Sequence, residues 1–62
     1  MGSDHPFTLT TRNNLAYAYQ VAGDLGRAIP LYGATLADCE RVLSPQHPLT
    51  GTVQANLEAA RR

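Results

Sequence analysis

An all-α fold of three helices, a helical hairpin followed by one further helix, is what this 62-residue sequence predicts. Three observations carry that expectation. A phrase near the start returns near the end, the apolar residues between the two copies recur in steps of three and four, and no stretch alternates apolar with polar as a strand does. Sliding the chain by 42 positions superimposes His5 on His47, Pro6 on Pro48, Thr8 on Thr50 and Thr10 on Thr52, then Asn14 on Asn56, Leu15 on Leu57 and Ala18 on Ala60. Seven of the fifteen positions in 4–18 therefore recur in 46–60, where average amino-acid usage gives about one.

The first helix is expected from Phe7 to about Ala22. Pro6 suits the first helical position, where a missing backbone donor costs nothing, and Gly23 supplies a left-handed close. Leu15, Ala18, Tyr19 and Ala22 are read as its apolar face. The second helix starts after Asp24, whose carboxylate can accept a first-turn amide. Leu25, Ala28, Ile29, Tyr32, Thr35, Leu36, Cys39, Val42 and Leu43 then draw one stripe over about five turns. Pro30 removes a backbone hydrogen bond inside that stretch and predicts a bend or a loosened first turn. Ser44-Pro45 ends the helix. The third helix runs from Leu49 to about Arg61, with Leu49, Val53, Leu57 and Ala60 on one face and Gly51 weakening its first turn.

Composition narrows the possible functions. Five basic residues balance five acidic ones, so the basic patch of a nucleic-acid module is missing apart from Arg61 and Arg62. No apolar run approaches the roughly 20 residues of a membrane span. The single cysteine, Cys39, permits no internal disulfide, which together with the lack of an export signal points to the cytoplasm. Cys39 falls on the apolar stripe and reads as a small buried hydrophobe. His5 and His47 sit one repeat apart, which implies about 10 Å between helix axes, too far for a shared metal ion; helix-start packing is the expected role. No nucleophile–base pair, phosphate loop or paired carboxylates are evident, so no catalytic, cofactor or metal residues are assigned and no cofactor is expected.

The residues Leu15, Ala16, Tyr19, Gly23, Ala28, Tyr32 and Thr35-Leu36, with the "NNLA" of 13–16 and the "AIPLY" of 28–32, resemble a tetratricopeptide repeat. The 42-residue period and the His-Pro pairs resemble the longer variety found in kinesin light chains. Met1-Gly2-Ser3 reads as a leader and is set aside; on that resemblance 4–45 is one full repeat of two helices, and 46–62 is the first helix of a second, truncated repeat. Arg12 departs from the pattern, which prefers a bulky apolar residue there, and Thr35 replaces the usual alanine.

The resemblance implies a non-enzymatic protein–protein interaction module whose first helices line a concave groove for extended peptides. The groove positions map to Thr10, Asn13, Tyr17 and Gln20, with Asn14 and Asn56 nearby. Asn14 and Asn56, repeated at the period, are expected to bond between neighbouring helices, and Asn13 is the better groove candidate. Other readings are a scaffold or sensor segment within a larger bacterial regulatory enzyme, and an RNA-binding helical repeat, which the uncharged groove residues disfavour. No nucleic-acid or membrane partner is expected. A repeat hairpin cannot bury its faces alone, and a chain this short buries only about 60% of its unfolded surface. Self-association as a homo-oligomer is therefore expected, a closed dimer being favoured, with Val53, Leu57 and Ala60 taking part and 44–47 able to act as a hinge for exchange of the third helix.

Overall fold

The computed structural model describes residues 5–62, and the leader, with Asp4, lies outside the described residues. Three helices follow one another: α1 Pro6–Val21, α2 Leu25–Val42 and α3 Pro48–Arg61. No strand occurs among the described residues. Each boundary falls within a residue or two of the position that the caps and prolines predict.

The local reasons are visible at every terminus. His5 and His47 both cap helices: each Nδ1 accepts the backbone N–H two residues on, from Phe7 and Leu49, at 3.0 Å. A proline follows each histidine at the first helical position, so the repeat in sequence is a repeat in capping geometry. Asp24 caps α2 by accepting from the Arg27 N–H at 3.3 Å. Between α1 and α2, Gly23 takes φ +84°. Its N–H reaches the Gln20 carbonyl at 3.0 Å and the Asp24 N–H reaches the Tyr19 carbonyl at 2.8 Å. That pair of crossing bonds closes the helix, and it requires a left-handed residue which glycine alone adopts without strain.

The expected loosening at Pro30 does not interrupt α2, which runs through the proline as one helix of 18 residues. The hydrogen bond that Pro30 cannot donate is the one directed four residues back, to Gly26 in the exposed first turn, where water reaches the backbone.

Packing is sequential. α2 lies against both α1 and α3, while α1 and α3 touch only lightly. Leu9, Ala16, Ala28, Tyr32, Cys39, Val53, Leu57 and Ala60 form one buried cluster, supported by Ile29, Leu31, Leu36, Val42, Leu43 and Leu49. The α2 stripe is thus as expected except at Leu25, which is exposed. Thr35, the departure from alanine, is fully buried and its hydroxyl donates to the Leu31 carbonyl at 2.7 Å. Thr50 is also buried and donates to the Ser44 carbonyl at 2.8 Å, tying the loop to α3. No buried side-chain polar atom among the described residues lacks a partner.

The face expected for α1 needs correction. Of Leu15, Ala18, Tyr19 and Ala22, only Tyr19 packs on the core; Leu15, Ala18 and Ala22 are exposed. The inward residues are Leu9, Asn13 and Ala16. α1 carries apolar residues on two faces, and the one turned inward is the one that meets α2.

The molecule measures 28 × 23 × 14 Å. All three helices touch one another, α1 and α3 directly through their side chains, and together they enclose one small core.

Candidate functional site

The outer surface of α1 is built by its period. Thr10, Asn14 and Tyr17 follow one another by four and three residues, and Val21 follows by four more, so all four stack along one side of the helix. All four are exposed, Tyr17 by 54% and Val21 by 69%. On α3 the positions 42 residues after Thr10, Asn14 and Tyr17 are Thr52, Asn56 and Ala59. The side of α1 that carries Thr10 thus has a counterpart on α3, and α1 and α3 lie on either side of the inter-repeat contact.

Asn13 and Asn14 are placed the other way round from expectation, Asn13 buried and Asn14 exposed. Asn13, read as the groove candidate, is only 5% exposed, and its Oδ1 accepts from Nδ2 of Asn56 at 3.2 Å. This bond joins α1 to α3 across 43 residues. Asn56 thus fills the inter-helix role expected of it. Asn14, its equivalent one period earlier, is exposed. Gln20 is half-buried and accepts from the Tyr32 hydroxyl at 2.7 Å. It therefore holds α1 to α2 rather than facing outward. Burial, and secondarily Tyr17, pushes the Tyr32 phenol above its ordinary pKa.

Of the six expected partner-binding residues, then, Thr10, Asn14 and Tyr17 lie open on α1, Asn56 is half-buried beside them, and Asn13 and Gln20 are engaged in inter-helix bonds. Val21 was missed, although its spacing from Tyr17 could have found it. No enclosed pocket is present among the described residues, so the surface is an open ridge and shallow groove.

Arg12 is not a packing defect. Its guanidinium donates to Asp38 Oδ2 at 2.7 Å, joining α1 to α2, while Arg41 approaches Asp38 Oδ1 at 3.3 Å. The hydrogen bond from Arg12 is the main influence holding the Asp38 carboxyl below its ordinary pKa, with Arg41 adding to it and burial opposing. The pair ties α1 to α2 at the position of that departure.

Val53, Leu57 and Ala60 are buried in the chain's own core. Another copy can reach them only if α3 leaves its place. The outer side of α3 carries no large apolar residue. The α3 positions equivalent to the inward α1 residues Leu9, Asn13, Ala16, Tyr19 and Gln20 are Gly51, Ala55, Glu58, Arg61 and Arg62. All five are exposed, and none is a large hydrophobe. Cys39 is buried and its thiol is raised above its ordinary pKa, chiefly by that burial. No group of three or more His, Cys, Asp or Glu side chains that could hold a metal occurs among the described residues, and none of their helices is long and apolar enough to cross a membrane.

A hairpin closed by glycine, stacked on a third helix that repeats the first, defines a helical-repeat protein. The family model described as tetratricopeptide repeat matches residues 8–49, more than half of the chain, and the chain belongs to that family. The matched span is as long as the 42-residue period. Comparison with curated proteins and with solved structures returns no match. Membership makes the chain a protein–protein interaction module.

Proposed function

We propose that this module takes an extended peptide segment of a partner protein along the α1 ridge, with Thr10, Asn14 and Tyr17 in contact and Asn56 at its margin. The observation that supports this reading is the exposed row Thr10–Asn14–Tyr17, polar and uncharged, beside an Asn13–Asn56 bond that fixes the spacing of α1 and α3. Amide side chains can donate to and accept from a peptide backbone, and Tyr17 adds a flat apolar surface with a polar tip. Asn13 and Gln20 contribute by positioning the helices. The same module associates with copies of itself, since Phe7 and Leu15 leave apolar surface uncovered on α1. A cytoplasmic setting fits its one free thiol. Function by binding requires no catalytic group, and none is assigned.

The test is a titration of the ¹⁵N-labelled chain with a library of extended, uncharged peptides, followed by amide shifts. Shifts clustered at Thr10, Asn14 and Tyr17, and at least a several-fold weaker affinity for Tyr17→Ala, are expected. Shifts confined to α2, or an unchanged affinity, would refute the assignment of the ridge.

A further inference from the structure

The face of α1 that does not meet α2 has a template inside the same chain. Phe7, Thr11, Leu15 and Ala18 stand 42 residues before Leu49, Val53, Leu57 and Ala60. The later set is the face that α3 buries: Leu57 is 8% exposed, whereas Leu15 is 47% exposed and Phe7 74%. The earlier set is thus a helix face of buried type left open.

What covers it can be argued from charge and from the opposite end of the molecule. The only charged residue on α1 is Arg12, which is held by Asp38, so the open face carries nothing that repels a second copy. Head-to-tail stacking would seat this face on the outer side of α3, which presents Gly51, Ala55, Glu58 and the terminal arginines and offers no apolar partner. The open face of α1 matches best with itself.

We infer that α1 pairs with α1 of a second copy across a two-fold axis lying between Thr11 and Leu15. Such pairing is closed and self-limiting, because the same patch serves both copies. In an antiparallel crossing the Phe7 ring of one copy lies over the small Ala18 of the other, and Thr11 and Leu15 meet near the axis. A helix of 16 residues is about 24 Å long and ~10 Å across, so the contact falls well short of the ~1,600 Å² of a standard stable interface. The dimer is weak and concentration-dependent.

This inference rests on the self-association proposed above, and the experiment separates the two. Sedimentation equilibrium is run from micromolar to millimolar concentration on the full chain, on Thr11→Lys, on Thr11→Glu and on an equimolar mixture of the two variants. Thr11 is exposed, and far-ultraviolet circular dichroism verifies that each variant stays helical. The expected result is a dimer for the parent chain, monomers for each variant alone, and a dimer restored in the mixture, where unlike charges meet at the axis. A parent dimer that persists in Thr11→Lys overturns the α1 face but leaves self-association standing, with exchange of α3 as its route. A parent chain that stays monomeric at millimolar concentration overturns both, and open-ended assembly overturns the closed geometry.

Discussion

Asn56 on α3 donates its amide hydrogen to the side-chain oxygen of Asn13 on α1 at 3.2 Å, and so couples the first copy of the repeat to the second. The acceptor is nearly sealed from water, which makes the loss of either partner costly. Asn13→Ala is expected to destabilise the chain by about 1–3 kcal/mol, because the bond is lost and the Asn56 amide is left facing a small void. Combining it with Asn56→Ala should cost less than the sum of the single changes, leaving a coupling of about 1 kcal/mol in a double-mutant cycle read from urea midpoints.

The histidine caps predict a second result. His47→Ala removes the acceptor for the Leu49 N–H and should cost about 1 kcal/mol, whereas His47→Ser or His47→Asp should retain most of that, since both side chains accept the same kind of bond. Circular dichroism during urea unfolding distinguishes them. Equal losses in all three variants would show that the cap contributes nothing.

Acid should weaken the α1–α2 junction through Asp38. Its carboxyl is held below the ordinary value of 3.8 mainly by the hydrogen bond from Arg12. A folded-state pKa lower than the unfolded one stabilises the fold above the unfolded value, and that stabilisation disappears as pH falls through the folded value. Urea midpoints should therefore drop as pH is lowered beneath 3.8, and Asp38→Asn should flatten that part of the profile while lowering stability at neutral pH.

Two glycines should respond in opposite directions to alanine. At Gly23 a new Cβ would meet no atom within 4 Å, but φ is +84°, so Gly23→Ala should cost about 1–2 kcal/mol through the left-handed backbone alone. At Gly33, inside α2, a Cβ also meets nothing within 4 Å and φ is ordinary. Gly33→Ala should raise stability by roughly 0.5–1 kcal/mol. Thermal melts of the two variants against the parent test the pair together.

Cys39 should be slow to react. It is fully buried, and burial raises its pKa, so little thiolate is exposed to an alkylating reagent. Labelling of the native chain should proceed only as fast as the chain opens, and should become rapid in urea.

Much of the fold is legible in the sequence because its signals are local. His-Pro, Asp24, Gly23 and Ser44-Pro45 each act within a few residues of where they stand, and they set the helix ends. The α2 stripe is equally plain, since α2 has neighbours on both sides and nearly all its apolar residues are covered. α1 is harder. Its apolar residues serve two faces, and only the identity of the neighbour decides whether Leu9 or Leu15 is inward. The same ambiguity reversed Asn13 and Asn14: they are adjacent in sequence and therefore point about 100° apart on the helix, and nothing local says which one meets α3. The long-range pairs Arg12–Asp38 and Tyr32–Gln20 join different helices, so periodicity within one helix does not reveal them.

The size of the core bears on how the chain opens. All three helices share one small core, and no inner shell survives once α2 parts from either neighbour. Hydrogen exchange should accordingly show a narrow spread of protection, its slowest amides in the middle of α2, rather than the graded hierarchy that a larger domain displays.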